Sequence, residues 1–174
     1  MSERKNIDLL VYELESGRQE ILDGIAHLTK EQFFTPPVPG EYPIGAHLMH
    51  YCECDIAWTE RISEGSVKIS DDLRKRSFYN AWFDPGGDDA GVPPTEAPEK
   101  QFYFDTLAEV RKHFVDYVKS MTDEDLDKEI TRVSNGKEVK ISKRWIICNH
   151  IKHDAHHRGQ IFMLLRMAGW SKVS

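Results

Sequence analysis

The residues of this sequence whose types and spacing suggest chemistry are its histidines. Six of the eight fall in two short windows: His47 and His50 in the first, and His150, His153, His156 and His157 in the second. Neutral imidazole is the commonest protein ligand of metal ions, and zinc sites combine several such side chains. The clustering therefore predicts a metal site that draws ligands from both windows.

His153 and His157 form the best candidate pair of ligands. Residues four apart on an α-helix lie about 40° apart around the axis and about 6 Å apart along it, so both imidazoles can reach one ion. His150 lies near the same face but two turns from His157, so one ion could bind His150 with His153 or His153 with His157, and the i, i+4 pair is the better-attested geometry. A facing helix can supply the third ligand, and spacing alone does not choose between His47 and His50.

The segment HDAHH also resembles the zincin motif HExxH, with Asp154 in place of the glutamate. We discount this interpretation because aspartate is one methylene shorter and no obvious third ligand follows His157. Asp154 is then either an acceptor for a neighbouring group or a solvated helix residue, and the second is the simpler expectation.

Four amphipathic helices are predicted to position these side chains. Apolar residues recur at spacings of three and four, the period of one helix face, over approximately residues 3–29, 43–63, 103–121 and 143–168. Asn135 and Gly136, between two runs rich in β-branched residues, predict a small hairpin within residues 129–141. We therefore expect an all-α, up-down-type four-helix bundle with a small β-hairpin before the last helix.

The connection between the second and third helices is long. A weaker helical pattern covers residues 71–83, and residues 84–98 are rich in Pro and Gly, which predicts a loop. Tyr79, Trp82 and Phe83, beside that loop, are candidates to line a pocket.

Length and charge exclude several classes of protein. The 174 residues fit one domain over residues 1–174. Asp and Glu number 29 against 23 Lys and Arg, for a net charge of -6, so no basic surplus favours a nucleic-acid partner. No signal peptide and no run of 18 apolar residues is found, so we expect a cytoplasmic protein without a membrane partner.

The three cysteines, Cys52, Cys54 and Cys148, are expected to be free thiols. An odd number does not predict a disulfide framework, and a reducing cytosol fits this use of cysteine. Cys54 lies nearer the predicted ligand face than Cys52, but we expect either to pack as a small buried apolar side chain rather than bind the metal.

The string HDAHHRGQIFMLLRMAG, with PIGAHLMHYCECDIAW far upstream, resembles the DinB-like superfamily of metal-binding four-helix bundles. The hallmark of that superfamily is HxxxHRGQ on the last helix and a partner histidine on the second. The resemblance extends to LTKEQF, TDEDLDKEI and GKEVKISKRWI, and so covers the chain from end to end. It implies that His153 and His157 are ligands, with His50 rather than His47 as the third. The long Pro/Gly-rich connection departs from the common pattern.

The remainder of the HRGQ motif predicts structural contacts. We expect Arg158 to bridge to an acidic residue on a neighbouring helix and Gln160 to form a hydrogen bond within the bundle. Glycine at position 159 makes the helix about 1 kcal/mol less stable than alanine would. A close approach of another helix would explain why glycine is present there.

The resemblance also implies an activity. Three histidines leave coordination positions for water or substrate, as in catalytic sites, and an ion there lowers the pKa of a bound water or thiol. Characterised enzymes of the resembled superfamily include transferases and isomerases that depend on low-molecular-weight thiols such as bacillithiol or mycothiol. The resemblance thus implies a metal-dependent S-transferase that uses Ni or Zn and acts on a small-molecule substrate.

Two other functions stay open at this point. A hydrolase would use the same three ligands, whereas a non-enzymatic metal-binding stress protein would use the ion for structure or sensing. By analogy with the family, the chain is also expected to form a homodimer.

Overall fold

The structure is a computed structural model that describes residues 4–77, 91–134 and 136–172. Within them the helices are α1 (Lys5–Ile25), α2 (Lys30–Phe34), α3 (Ile44–Ile62), α4 (Asp71–Arg76), α5 (Lys100–Ser120) and α6 (Lys143–Met167). A 3-10 helix, Asp123–Asp127, precedes an antiparallel hairpin of β1 (Glu129–Ser134) and β2 (Lys137–Ser142). The predicted four-helix bundle with a hairpin before its last helix is confirmed, and its long helices are α1, α3, α5 and α6.

The four long helices do not simply alternate in direction along the chain. α1 and α3 each pack against both α5 and α6, so α1 and α3 lie diagonally across the bundle. The first halves of α3 and α5 share one end of the core with the last halves of α1 and α6, which gives the order up, down, down, up. A connection between parallel neighbours must return along a whole helix, about 28 Å for the 19 residues of α3. This requirement explains the long connection between α3 and α5.

Two apolar clusters fill the bundle, one towards each end. The first cluster includes Ile25, Leu48 and Leu107, and the second includes Ile7 and Phe114. In α1, α5 and α6 the buried side chains recur at spacings of three and four, as expected for one buried face, whereas the first half of α3 is buried on nearly all sides. None of the described helices has both the length and the apolar character needed to cross a bilayer.

The first helix ends earlier than predicted, and a short helix follows it. α1 ends at Ile25 instead of continuing to residue 29. Thr29 begins α2, because its N–H donates to the Gln32 side chain at 2.9 Å and its hydroxyl accepts from the Gln32 N–H at 3.3 Å. This capping box satisfies two backbone donors at the start of a helix, and its residues were visible in the sequence as TKEQ.

A side chain of the 3-10 helix caps the first turn of α1. Asp123 accepts hydrogen bonds from the backbone N–H groups of Asn6 at 3.1 Å and Ile7 at 3.0 Å. Arg4, the residue before α1, makes no capping bond with its side chain. A carboxylate distant in sequence therefore satisfies the first backbone donors of α1.

The described part of the connection from α3 to α5 packs against both helices. Through α4, Arg74 pairs with Glu60 of α3 and Arg76 with Glu109 of α5. α4 is the first part of the weak helix predicted from Asp71. The predicted pocket residues and part of the predicted loop lie outside the described residues: Tyr79, Trp82, Phe83 and residues 84–90.

Candidate metal centre

α3 and α6 bring the three predicted ligands together. The two helices pack side by side and run antiparallel. The ring centroid of His50 lies 5.3 Å from that of His153 and 4.8 Å from that of His157. The centroids of His153 and His157 are 4.3 Å apart. All three residues are partly exposed, so solvent reaches the group.

The donor atoms of His50, Cys54 and His153 lie within 4.8 Å of one another, as ligands of one ion do. The Nε2 atoms of His153 and His157 are 3.0 Å apart. Cys54 Sγ lies 3.5 Å from His153 Nε2 and 3.7 Å from His50 Nε2. Ligands at about 2.0–2.3 Å from a tetrahedral zinc ion lie about 3.3–3.8 Å from one another. His50, Cys54 and His153 can therefore hold a metal ion together.

Glu53 sets the orientation of the His50 ring. Its side chain is 6% exposed, and its Oε2 atom accepts a hydrogen bond from His50 Nδ1 at 2.9 Å. Because a carboxylate accepts but cannot donate, the proton of the neutral ring lies on Nδ1, and the Nε2 lone pair faces Cys54. Such carboxylate–histidine pairs are typical of metal sites.

The environment keeps the two histidines of α6 neutral at physiological pH. Burial and repulsion by neighbouring imidazoles lower the pKa of His153 to about 3 and that of His157 to about 4. The Nδ1 atom of His153 is buried and has no hydrogen-bond partner among the described residues. Neutral imidazole offers a nitrogen lone pair to an ion, and the Nε2 atoms of the two rings lie side by side.

The other histidines of the two windows surround this group. His47 is buried, its ring centroid lies 6.5 Å from that of His157, and burial lowers its pKa to about 4. His156 is exposed on α6, with its ring 5.2 Å from that of His157. His150 is fully buried and its Nε2 donates to the Asp55 carboxylate, so it belongs to the core rather than to the candidate site.

A layer of buried charges lies behind the histidines, with one residue from each long helix. Asp55 of α3 pairs with Arg111 of α5 at 2.7 Å and with Arg18 of α1 at 3.3 Å. Asp154 of α6 pairs with the same two arginines, at 2.8 and 3.1 Å. Burial opposes ionisation, but the two guanidinium groups hold the pKa of both carboxyls below the ordinary value. The four side chains form a neutral set of two anions and two cations, which we call the charged layer.

Asp154 is therefore not the solvated residue that the sequence favoured. It is 3% exposed, and its carboxylate pairs with two arginines. It is therefore not placed to act as the glutamate of the zincin motif does. It directly follows His153, just as Asp55 directly follows Cys54. The Tyr51 hydroxyl adds a 3.1 Å hydrogen bond to the Asp154 carbonyl oxygen. The charged layer thus fixes the rotation of α3 and α6 that brings their donor atoms together.

Two predictions about the HRGQ motif have different outcomes. Arg158 pairs with Glu20 of α1, as predicted. The predicted close approach of another helix at Gly159 is wrong, because Gly159 is exposed and a Cβ there would meet no atom of the described residues within 4 Å. A close approach occurs instead at Gly45, where a Cβ would lie 2.7 Å from the Tyr103 ring. The face of α6 that carries Gly159 points to solvent rather than to a neighbouring helix.

Cys54 is the candidate site residue that the sequence analysis missed. It was expected to be a buried apolar side chain, but its Sγ contacts two ring nitrogens. Burial raises the pKa of its thiol to about 12. The available signal was its spacing, four residues after His50, which is the same as that of His153 and His157. All three cysteines are free thiols.

Comparison with known proteins identifies the fold. The family model described as the DinB family matches residues 1–174. Similar solved structures include a conserved protein from Enterococcus faecalis, with 16% identity and a TM-score of 0.68 over 92% of this chain and 95% of that chain. YfiT from Bacillus subtilis, described as a probable metal-dependent hydrolase with an unusual four-helix bundle topology, has 16% identity and a TM-score of 0.62 over 98% and 92%.

A third similar structure is a DinB-like protein from Bacillus cereus ATCC 10987, with 25% identity and a TM-score of 0.56 over 94% of this chain and 91% of that chain. No curated protein matches the chain. The three solved structures are therefore similar to this chain in fold over nearly the whole length of each chain.

Proposed function

The chain belongs to the DinB family, and we propose that it is a metal-dependent enzyme in which His50, His153 and His157 hold one divalent ion. The observation that carries this proposal is the convergence of three partly exposed rings, with centroids 4.3–5.3 Å apart. Imidazole ligands with a nearby sulfur suit zinc and nickel, and these are the ions we propose.

The proposed reaction joins a low-molecular-weight thiol, such as bacillithiol, to a small electrophilic substrate. When bound, the ion supplies a Lewis acid that lowers the pKa of a coordinated thiol or water. The partial exposure of His50, His153 and His157 supports this choice because a small thiol can reach an ion there from solvent. Glu53 orients His50 during this reaction, and the charged layer holds α3 and α6 in place.

Hydrolysis of a small molecule is the second candidate. It would use the same three histidines with water as the nucleophile. The fold of the chain is similar to that of YfiT, which is described as a probable metal-dependent hydrolase, and this likeness supports the candidate. Transfer and hydrolysis therefore differ in the nucleophile and not in the residues that hold the ion.

One set of assays tests the proposal and separates the two reactions. The chain is loaded with Zn²⁺ or Ni²⁺ and given a panel of thiols, bacillithiol included, with a chromogenic electrophile. A second assay supplies a chromogenic ester without thiol. Turnover that requires thiol would support transfer, whereas ester cleavage without thiol would support hydrolysis.

The matched variants are His153→Ala and His113→Ala. We expect His153→Ala to abolish metal-dependent turnover, because it removes one of the converging rings. His113 lies on α5 outside the group, so its replacement should leave turnover unchanged. Equal rates for the wild type and His153→Ala would overturn the proposal.

A further inference from the structure

We propose that Cys54 is a fourth protein ligand, so that three imidazoles and one thiolate hold the ion. This inference rests on the proposed function, because it requires an ion between His50, His153 and His157. It goes further by assigning to the protein the coordination position that a three-histidine site leaves to substrate.

The four donors come from two matched pairs, one on each helix. His50 and Cys54 are four residues apart on α3, and His153 and His157 are four apart on α6, so each pair projects from one face of its helix. The pairs face each other across the contact between α3 and α6. Cys54 Sγ lies 3.7 Å from a donor of its own helix and 3.5 Å from a donor of the other. Its sulfur therefore bridges the two pairs.

Three neighbouring side chains on α3 that carry donor atoms are directed elsewhere. Glu53 accepts a hydrogen bond from His50 Nδ1 and so faces the far side of the ring. Asp55 is held by the two arginines of the charged layer. Cys52 is fully buried in the apolar core. In this stretch of α3, Cys54 is the side chain that points at the ring nitrogens of both helices.

Ligation by Cys54 changes the charge and the accessibility of the site. Binding replaces the S–H bond by a bond from sulfur to the ion, and the proton passes to solvent. Four protein donors complete a tetrahedral set, as in closed sites. A substrate thiol or water then reaches the ion only when the Cys54 sulfur leaves or the coordination number rises. Cys54 thus closes the site in the resting enzyme.

Cobalt binding tests this assignment without any assay of activity. Bound Co²⁺ gives visible d–d bands, and a thiolate ligand adds a charge-transfer absorption in the near ultraviolet. The whole chain is titrated with Co²⁺ as the wild type, Cys54→Ser and Cys148→Ser. Cys148, a partly exposed free cysteine of α6, is the matched control. We expect the wild type and Cys148→Ser to show both signals and Cys54→Ser to lose only the charge-transfer absorption.

Two results would overturn the role of Cys54 while leaving the proposed function in place. One is d–d bands without charge transfer in the wild type, and the other is charge transfer that persists in Cys54→Ser. Failure of the wild type to develop d–d bands would overturn the ion site itself and the inference with it. Circular dichroism checks folding, and Cys54→Ala provides the second variant if Cys54→Ser does not fold.

Discussion

Asp55 on α3 and Arg111 on α5 form a 2.7 Å ion pair in the interior of the bundle, and Asp55 directly follows Cys54 of the candidate metal centre. The histidine group therefore lies against the charged layer without an intervening apolar shell on α3. Because the layer takes one residue from each long helix, the contacts that determine the order of the helices also position the donor atoms.

Replacing Arg111 by methionine should destabilise the fold. The substitution removes a cation shared by Asp55 and Asp154. Removing one partner of a buried ion pair lowers the free energy of unfolding by about 3–5 kcal/mol, because the other charge is left uncompensated. Denaturant titration should show a fall of that size in the free energy of unfolding. Lys119→Ala removes the partner of the exposed Glu15 and is the control, with an expected cost below about 1 kcal/mol. Similar small losses in both variants would contradict a structural role for the charged layer.

Glu53→Ala should weaken metal binding while preserving the fold. Loss of the acceptor that orients a metal-binding histidine reduces affinity about 10–100-fold in comparable sites. Calorimetric titration with Zn²⁺ measures the change. Glu60, on the same helix but paired with Arg74, gives the control Glu60→Ala, which should bind zinc like the wild type. Unchanged affinity in Glu53→Ala would show that its hydrogen bond to His50 is not needed for binding.

Removing the metal should lower the melting temperature but leave the bundle folded. The two apolar clusters and the charged layer do not require an ion, so the far-ultraviolet circular dichroism should survive chelation. An ion at 100 times its Kd adds about 2.7 kcal/mol, which corresponds to about 5–11 °C for a chain of this size. Complete unfolding on chelation, with no turnover in any assay, would instead favour the non-enzymatic metal-binding protein.

Two glycine substitutions should have opposite effects on stability. Gly45→Ala places a Cβ 2.7 Å from the Tyr103 ring, and overpacking of this kind costs about 1–3 kcal/mol. Gly159→Ala meets no atom within 4 Å and should gain up to about 1 kcal/mol from helix propensity. Thermal unfolding of both variants measures these changes. Stabilisation by Gly45→Ala would contradict the tight contact between α3 and α5.

Asp123 should contribute to the acid sensitivity of the fold. Burial opposes its ionisation, but hydrogen bonds from the backbone of Ile7 and Asn6 hold its pKa below the ordinary 3.8. The unfolded chain therefore takes up this proton at higher pH than the folded chain. The stabilisation is complete above about pH 5 and is lost as the pH falls through 3.8 towards the folded value.

Unfolding of Asp123→Asn, measured as a function of pH, isolates this effect. Its stability should change less steeply than that of the wild type below about pH 5. Asp116→Asn, on the exposed surface of α5, serves as the control with a wild-type slope. An identical slope for Asp123→Asn and the wild type would contradict the capping role of Asp123.

Local patterns were enough to predict the long helices and the hairpin. Gly169, a typical residue after a helix end, predicted the end of the last helix, which begins at Lys143 and ends at Met167. Gly169 has a φ of +70°, which suits glycine. α1 ends at Ile25, before the predicted residue 29, because the capping box at Thr29 starts a separate helix, α2. The solvated role favoured for Asp154 was wrong because its burial depends on arginines from two other helices.

The sequence by itself determined which side chains share one face of one helix, including the i, i+4 pair His153 and His157. This is possible because helical periodicity is a property of neighbouring residues. Only the tertiary structure decided that α3 and α5 run parallel, that Cys54 faces His153, and that the charged layer lies behind them. Those relationships depend on which helix faces meet, and packing between residues far apart in the chain decides that.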